Sequence, residues 1–292
     1  MPGTRTLPAG RYALELDGKI AGALLSAAGG YATADVVSQK AADGTVRKRL
    51  GNVRYADIDI ACGSGTATQL IGWLTETLDG KYRRRNGALL TLDLNNTIVE
   101  RLEFTNALLT EVGFPALDAA SKNTVQLTAR LALEHTRRLD GQGKLGSADK
   151  AQKWGAANFR VAIDGLECKR VMKIEPLVVG LNVVRADVRE ERIVEKQPIG
   201  VETPDLVVTL PLSDAKTFVA WHEDFVINGN CSEANEKTGT LELLSPTMTV
   251  LFTIAFKGLG IYELVPAAVT AADTVAKIAV SMYCQEIAIS AK

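Results

Sequence analysis

The sequence predicts a mainly β (α+β) protein built as two tandem copies of one small antiparallel unit, each copy with a single helix. Three observations carry this. The opening YALELDG (Tyr12 to Gly18) returns as FRVAIDG (Phe159 to Gly165). A strand followed by a tryptophan-bearing helix occurs once in each half, around Trp73 and Trp221. Five such elements recur in the same order, at a spacing of about one hundred and fifty residues, which is the signature of an internal repeat.

The elements follow from side-chain periodicity. Tyr12, Leu14 and Leu16 share one face of an extended segment, as do Phe159, Val161 and Ile163. Asp17-Gly18 and Asp164-Gly165 tolerate the positive φ of a tight turn, so each strand is expected to open a hairpin. YADIDIA (Tyr55 to Ala61) leads into a helix over Gly65 to Gly80, and LVVTL (Leu206 to Leu210) into one over Ser213 to Asn228. Ser64, Thr66 and Ser213 are expected as helix N-caps. Strands opened by Gly87 and Gly239 come next, then RLEFTNA (Arg101 to Ala107) and LFTIAFK (Leu251 to Lys257). Ala-rich turns and alternating strands close both halves, at Leu117 to Leu133 and Val269 to Tyr283.

The expected organisation is a first domain over 1–140, a linker over 141–153 and a second, divergent domain over 154–292. The linker DGQGKLGSADKAQK is rich in Gly, Lys and small polar residues. With 292 residues, each domain is large enough to bury a core without disulfides or metals. No apolar run approaches the ~20 residues of a membrane helix, and MPGTRTLPAGRY lacks the apolar segment of a secretory signal. The chain is thus expected to be made in a cytoplasm, without a membrane anchor of its own. Cys62, Cys168, Cys231 and Cys284 stand far apart, outside any C-x-x-C pair, and read as reduced. Residues 1–140 carry 17 basic and 15 acidic groups and residues 154–292 carry 13 and 18, so the second half is the negative one. Neither balance is that of a nucleic-acid-binding domain.

Catalytic signatures are weak. His135 and His222 have no Gly-flanked Ser or poised Cys beside them in sequence, and His222-Glu223-Asp224 point around a helix instead of converging. ACGSGTAT (Ala61 to Thr68) precedes a helix but lacks both the P-loop Lys and the G-x-G-x-x-G spacing. No catalytic, cofactor-binding or metal residues are assigned, and no enzyme is expected. Candidate residues are instead those of an assembly surface. The hairpin from Tyr31 to Tyr55 is long and too poor in large apolar groups to be packed core; its tip carries Lys40, Asp43, Gly44 and Arg47. Arg83, Arg84 and Arg85 form the strongest basic cluster, and the aligned stretch of the second half is acidic, with Glu233 and Glu236. Set against each other across neighbouring unlike repeats, these charges would favour mixed contacts in a salt-dependent way.

The opening aromatic strand with its Asp-Gly, the polar hairpin, the strand into helix with Trp73, and RLEFTNALLTEVGFPALDAAS (Arg101 to Ser121) together give a family resemblance. Each repeat resembles the tail-tube proteins of contractile phage tails and related contractile injection systems. The second repeat keeps Trp221, and Pro266 near the place of Pro115, but loses the Asn-bearing strand and the LDA-S turn. The resemblance implies a small antiparallel β-barrel or sandwich with one flanking helix, assembled in six-domain rings that line a conduit for DNA or effector protein. It also implies neighbouring tube, sheath or baseplate proteins, and assembly in a virion tail or injection particle. Family members are usually single-domain. Two domains per chain suit a ring of three chains, as at a tube–baseplate junction, or two stacked rings of six. Charge alternation favours three. The competing reading is a two-domain β-barrel small-molecule carrier or enzyme.

Overall fold

The computed structural model describes residues 11–146, 154–187, 194–266 and 275–291. Strands hold 60% of the described residues and helices 13%, which makes the fold mainly β. The chain opens with β1 (Arg11–Leu16) and β2 (Lys19–Gly29), then an arm of β3 (Ala32–Lys40) and β4 (Val46–Tyr55), β5 (Ile58–Cys62) and helix α1 (Ser64–Leu78). β6 (Arg85–Leu92), β7 (Ile98–Phe114), β8 (Leu117–Asp118), β9 (Leu127–Ala132) and β10 (His135–Asp140) complete the first half. Antiparallel pairing runs β1–β2–β5–β9–β7–β6 and returns to β1, closing a six-stranded barrel. Alternation explains its interior: Leu14, Leu16, Ile58, Ile60, Leu89, Leu102 and Phe104 point inward. The opposite face of β1 and β6 gives a small second cluster of Ala13, Ala88, Leu90 and Leu92.

The second half runs β11 (Phe159–Ile163), β12 (Lys173–Ile174), β13 (Leu177–Asp187), β14 (Val194–Glu202), β15 (Leu206–Pro211), α2 (Lys216–His222), β16 (Lys237–Leu244), β17 (Val250–Pro266) and β18 (Lys277–Ala291). Its sheet has the order β11–β16–β17–β18–β15–β12–β8. The two halves repeat each other's irregularities. Arg85 lies over the Trp73 ring at 5.4 Å and Lys237 over Trp221 at 5.3 Å. Left-handed Asn96 and Asn106 match Met248 and Gly258, and the bulge after Leu109 matches the one after Ile261, all at one constant offset along the chain.

Three local expectations are corrected. Asp17-Gly18 turns the β1–β2 hairpin, but Asp164-Gly165 turns into a loop, and β12 pairs with β15 and β8 instead of β11. Alternation fails after that turn, where Lys169-Arg170 sit side by side, so no return strand forms. Both helices lack side-chain caps: Gly63 and Ala215 hold the N-cap positions, and the Thr66 hydroxyl instead donates to the Ala23 carbonyl at 2.8 Å. The second helix is also short, ending at His222 and continuing as a π-helical turn over Glu223–Ile227. Of the 141–153 linker, 147–153 lie outside the described residues, as do most of the Ala-rich turn before β18 and the tip of the β13–β14 hairpin.

Packing sets two predictions. A side chain at Gly87 would run into the Glu15 carbonyl and the Phe104 ring. Gly87→Ala should therefore lower stability by roughly 1–3 kcal/mol in denaturant titration. On the same strands, the hydrogen bond and charge of Arg101 hold the Glu15 carboxyl below its ordinary value of 4.5 despite desolvation. This stabilisation is complete above pH 4.5 and is lost as pH falls through the lowered folded value. Glu15→Gln should flatten the acid limb of a pH–stability profile.

Candidate assembly surface

Backbone accounting distinguishes the two long hairpins. Among the described residues, β3 and β4 pair only with each other, as a separate two-stranded sheet. Val36, Val37, Val46 and Leu50 lie exposed along them. An isolated hairpin is marginal in water, and unpaired strand edges are templates for further pairing. The arm is braced at its turn, where Asp43 Oδ1 accepts from the Thr45 hydroxyl at 2.6 Å and the Thr45 amide at 3.0 Å. Those bonds hold the Asp43 carboxyl below its ordinary range. Arg54 and Asp35 bridge the two strands at 2.7 Å. At the arm's base the Tyr55 ring tilts against His135, centroids 5.1 Å apart.

The second hairpin, β13–β14, is docked. β13 continues the first-half sheet by pairing Leu177–Gly180 with Phe114–Glu111 of β7. Leu177, Val179 and Leu181 are buried there. β8 reciprocates by pairing with β12, and bonds from Asp118 to Ala156 and from Ala119 to Met172 tie the same seam. Apolar residues of both halves merge in one core across it.

A polar group closes the seam. Lys196, only 5% exposed, reaches Asp57 through Nζ, while its carbonyl accepts from Arg84. Arg84 also holds Glu134, whose other oxygen accepts from Asn106 Nδ2 at 2.8 Å. Side chains of both halves thus satisfy one another where the β13–β14 hairpin crosses the barrel end. Asp57, Glu134 and Lys196 carry no sequence motif; only folding brings them together.

The expected assembly residues fall into two sets. Lys40 ends β3, Asp43 and Gly44 form the turn, and Arg47 starts β4, all on the open arm. The Arg83 carbonyl accepts the Trp73 indole N–H at 3.0 Å. Arg85 bridges Asp17 and Glu76, both at 3.0 Å. Glu236 accepts from the Tyr283 hydroxyl at 2.7 Å, and burial with that bond pushes the Tyr283 phenol up to about 12. Glu233 lies exposed in a short 3₁₀ turn. Arg84, Arg85 and Glu236 are therefore engaged within the chain, each with partners outside the other set.

Among the other reactive groups, Cys62, Cys168 and Cys284 are buried, and burial raises their thiols, Cys62 to about 12. Cys231 is exposed. Among the described residues no three His, Cys, Asp or Glu side chains gather as a metal site, and no helix is long and apolar enough to cross a membrane. The apolar cavity at the seam, lined by Phe114, Leu117, Ile174, Leu243 and Phe252, has a free volume of about 10 Å³, room for a single water.

The sequence matches no protein-family model and no curated protein. Solved structures similar to it include a sheath–tube complex of the extracellular contractile injection system PVC in its extended state, at 15% identity and a TM-score of 0.42, covering 47% of this chain and 93% of that one. The tube-terminating cap of the anti-feeding prophage matches at 14% identity and a TM-score of 0.41, covering 48% and 95%. Hcp1 from Flavobacterium johnsoniae matches at 19% identity and a TM-score of 0.30, covering 46% and 99%.

The seam yields a coupling prediction. Lys196→Met leaves Asp57 without its cation and should cost about 1–3 kcal/mol, less than a fully buried pair because Asp57 keeps some solvent. In a double-mutant cycle with Asp57→Asn, urea titrations should give a coupling of about 1 kcal/mol or more.

Proposed function

We propose that this chain is a structural, non-catalytic subunit of a contractile tail or contractile injection apparatus, joining copies of itself into rings that line a conduit. One observation carries the reading: of two equivalent hairpin arms, β13–β14 is docked on a barrel in the same chain, whereas β3–β4, among the described residues, pairs with no further strand. An arm built to add to a sheet, with exposed valines and a braced turn, fits a neighbouring copy. In this reading 1–140 and 154–292 are tandem tail-tube-like units joined by 141–153. Their matched bulges, left-handed residues and Trp–cation stacks support descent from one duplicated unit.

Unlike halves already abut within the chain, and alternation sets the acidic second half against the mildly basic first. Three chains then give a six-unit ring, which suits a tube or a tube–baseplate junction. The cargo is DNA or effector protein, and tube, sheath or baseplate proteins are the neighbours.

Electron microscopy with mass measurement tests the reading. Rings of three chains are the expected result. Deleting the arm tip, Lys40 to Val46, should leave the circular dichroism spectrum unchanged and abolish rings. Six chains per ring, each ring made of one kind of half, would replace alternation with a two-storey tube subunit. A monomer at every concentration would overturn the assembly role.

A further inference from the structure

Resting on the self-association reading, the geometry points to a specific docking surface: the bare face of α2 and the free end of β17 receive β10 and Tyr31 of a second copy of this chain. This contact reproduces between chains the one that α1 and β7 make with β18 and β13 inside a single chain.

The intrachain contact is the template. Ile71 and Leu74 of α1 are buried, and the Thr75 hydroxyl reaches the Ile289 carbonyl of β18 at 3.3 Å. Val112 and Phe114 of β7 are buried where β13 pairs with them. The second half presents the same positions uncovered. Ala67, Leu70, Trp73 and Thr77 match Ala215, Phe218, Trp221 and Phe225, buried at identical spacing, so Ile71, Thr75 and Leu78 correspond to Val219, Glu223 and Val226. Val219 is 42% exposed and Glu223 and Val226 face solvent. Beyond the matched bulge, Val112 and Gly113 correspond to Leu264 and Val265, and Val265 is 44% exposed. Pro266 stands where Phe114 does and has no N–H to donate, which shortens any strand addition and shifts weight onto the helix face.

The occupant follows from the same registers. Leu102 pairs with Arg138 as Ile254 pairs with Ile289, so Arg138 is the first half's counterpart of Ile289. Ala32 pairs with Tyr55 as Gly180 pairs with Glu202, so Tyr31 is the counterpart of Val179. Tyr31 is 62% exposed, and Arg138 is largely exposed, using its Nε for Glu100 at 3.0 Å. Where the Thr75 side chain meets the main chain at Ile289 inside the chain, the matched contact between chains sets the Glu223 carboxylate beside the residue that carries the Arg138 guanidinium. The remaining N–H donors of Arg138 suit that carboxylate. Opposite charges thus fall at matched places on the two bare surfaces, which is what selects a second copy as the partner. The contact is head-to-tail, so repetition closes a ring or continues as a filament.

Charge reversal tests the pairing. In sedimentation velocity, Glu223→Arg or Arg138→Glu should each raise the concentration needed for assembly at least tenfold, and the double variant should recover to within a few-fold of the natural chain. Val219→Asp should impair assembly without rescue by either change. Below the concentration at which chains assemble, thermal unfolding should be unchanged by Glu223→Arg and Val219→Asp, whose side chains are exposed, and lowered only slightly by Arg138→Glu, which loses its surface bridge to Glu100. In a Cys231→Ser background, Glu223→Cys with Arg138→Cys should oxidise to covalent multimers. If the natural chain assembles and the single reversals assemble equally well, the docking surface is overturned while self-association stands. A double variant as impaired as the singles overturns the Glu223–Arg138 pairing. A natural chain that stays monomeric overturns both.

Discussion

The backbone of β7 has to be satisfied along two edges over 17 residues, and most of the fold is arranged around that requirement. Its first part lies between β6 and β10, and its last part between β9 and β13. One straight strand cannot serve all four partners while curling around a barrel. Asn106 adopts a left-handed conformation where β10 gives way to β9, and the bulge after Leu109 sharpens the bend. Asn tolerates that conformation better than most residues, and its side chain is also used, donating to Glu134. Gly258 meets the same need in β17.

Because β7 ends in a docked hairpin, the two halves are joined by more than a linker. Main-chain pairing of Leu177–Gly180 fixes the register, apolar Leu177 and Val179 fill the space beneath, and Lys196 with Arg84, Asp57 and Glu134 satisfies the polar groups that burial would strand. Each of these layers needs the others. The pairing is short, the buried charges are tolerable only as a group, and the core continues across the seam.

The same arrangement makes the molecule directional. Among the described residues, the first half has its helix face and strand end covered, whereas the matching positions of the second half, at Val219, Glu223, Val226 and Val265, are exposed. The covering elements show the opposite pattern: β13 and β18 are used, whereas the β3–β4 arm and the outer face of β10 stay open. Exposed apolar side chains at Val219, Tyr262 and Val265 are costly on an isolated surface, and they occupy positions that are buried or part-buried in the other half.

Sequence alone determined the elements whose signal is carried by side chains. Alternation marked β1, β5, β6 and β11, a tryptophan-bearing run after a strand marked the place of both helices, and the lack of large apolar groups marked the β3–β4 arm as something other than core. Of the candidate site, Lys40, Asp43, Gly44 and Arg47 were legible because a polar hairpin tip is a local pattern. The partners of Arg84, Arg85 and Glu236 were not, since Glu134, Glu76 and Tyr283 reach them only through folding. Nor did the sequence separate the two arms: a strand's free edge consists of N–H and C=O groups common to every residue. Only the tertiary structure decided that β13 joins β7 while β3 stays unjoined, because edge pairing depends on which backbone is brought within hydrogen-bonding reach.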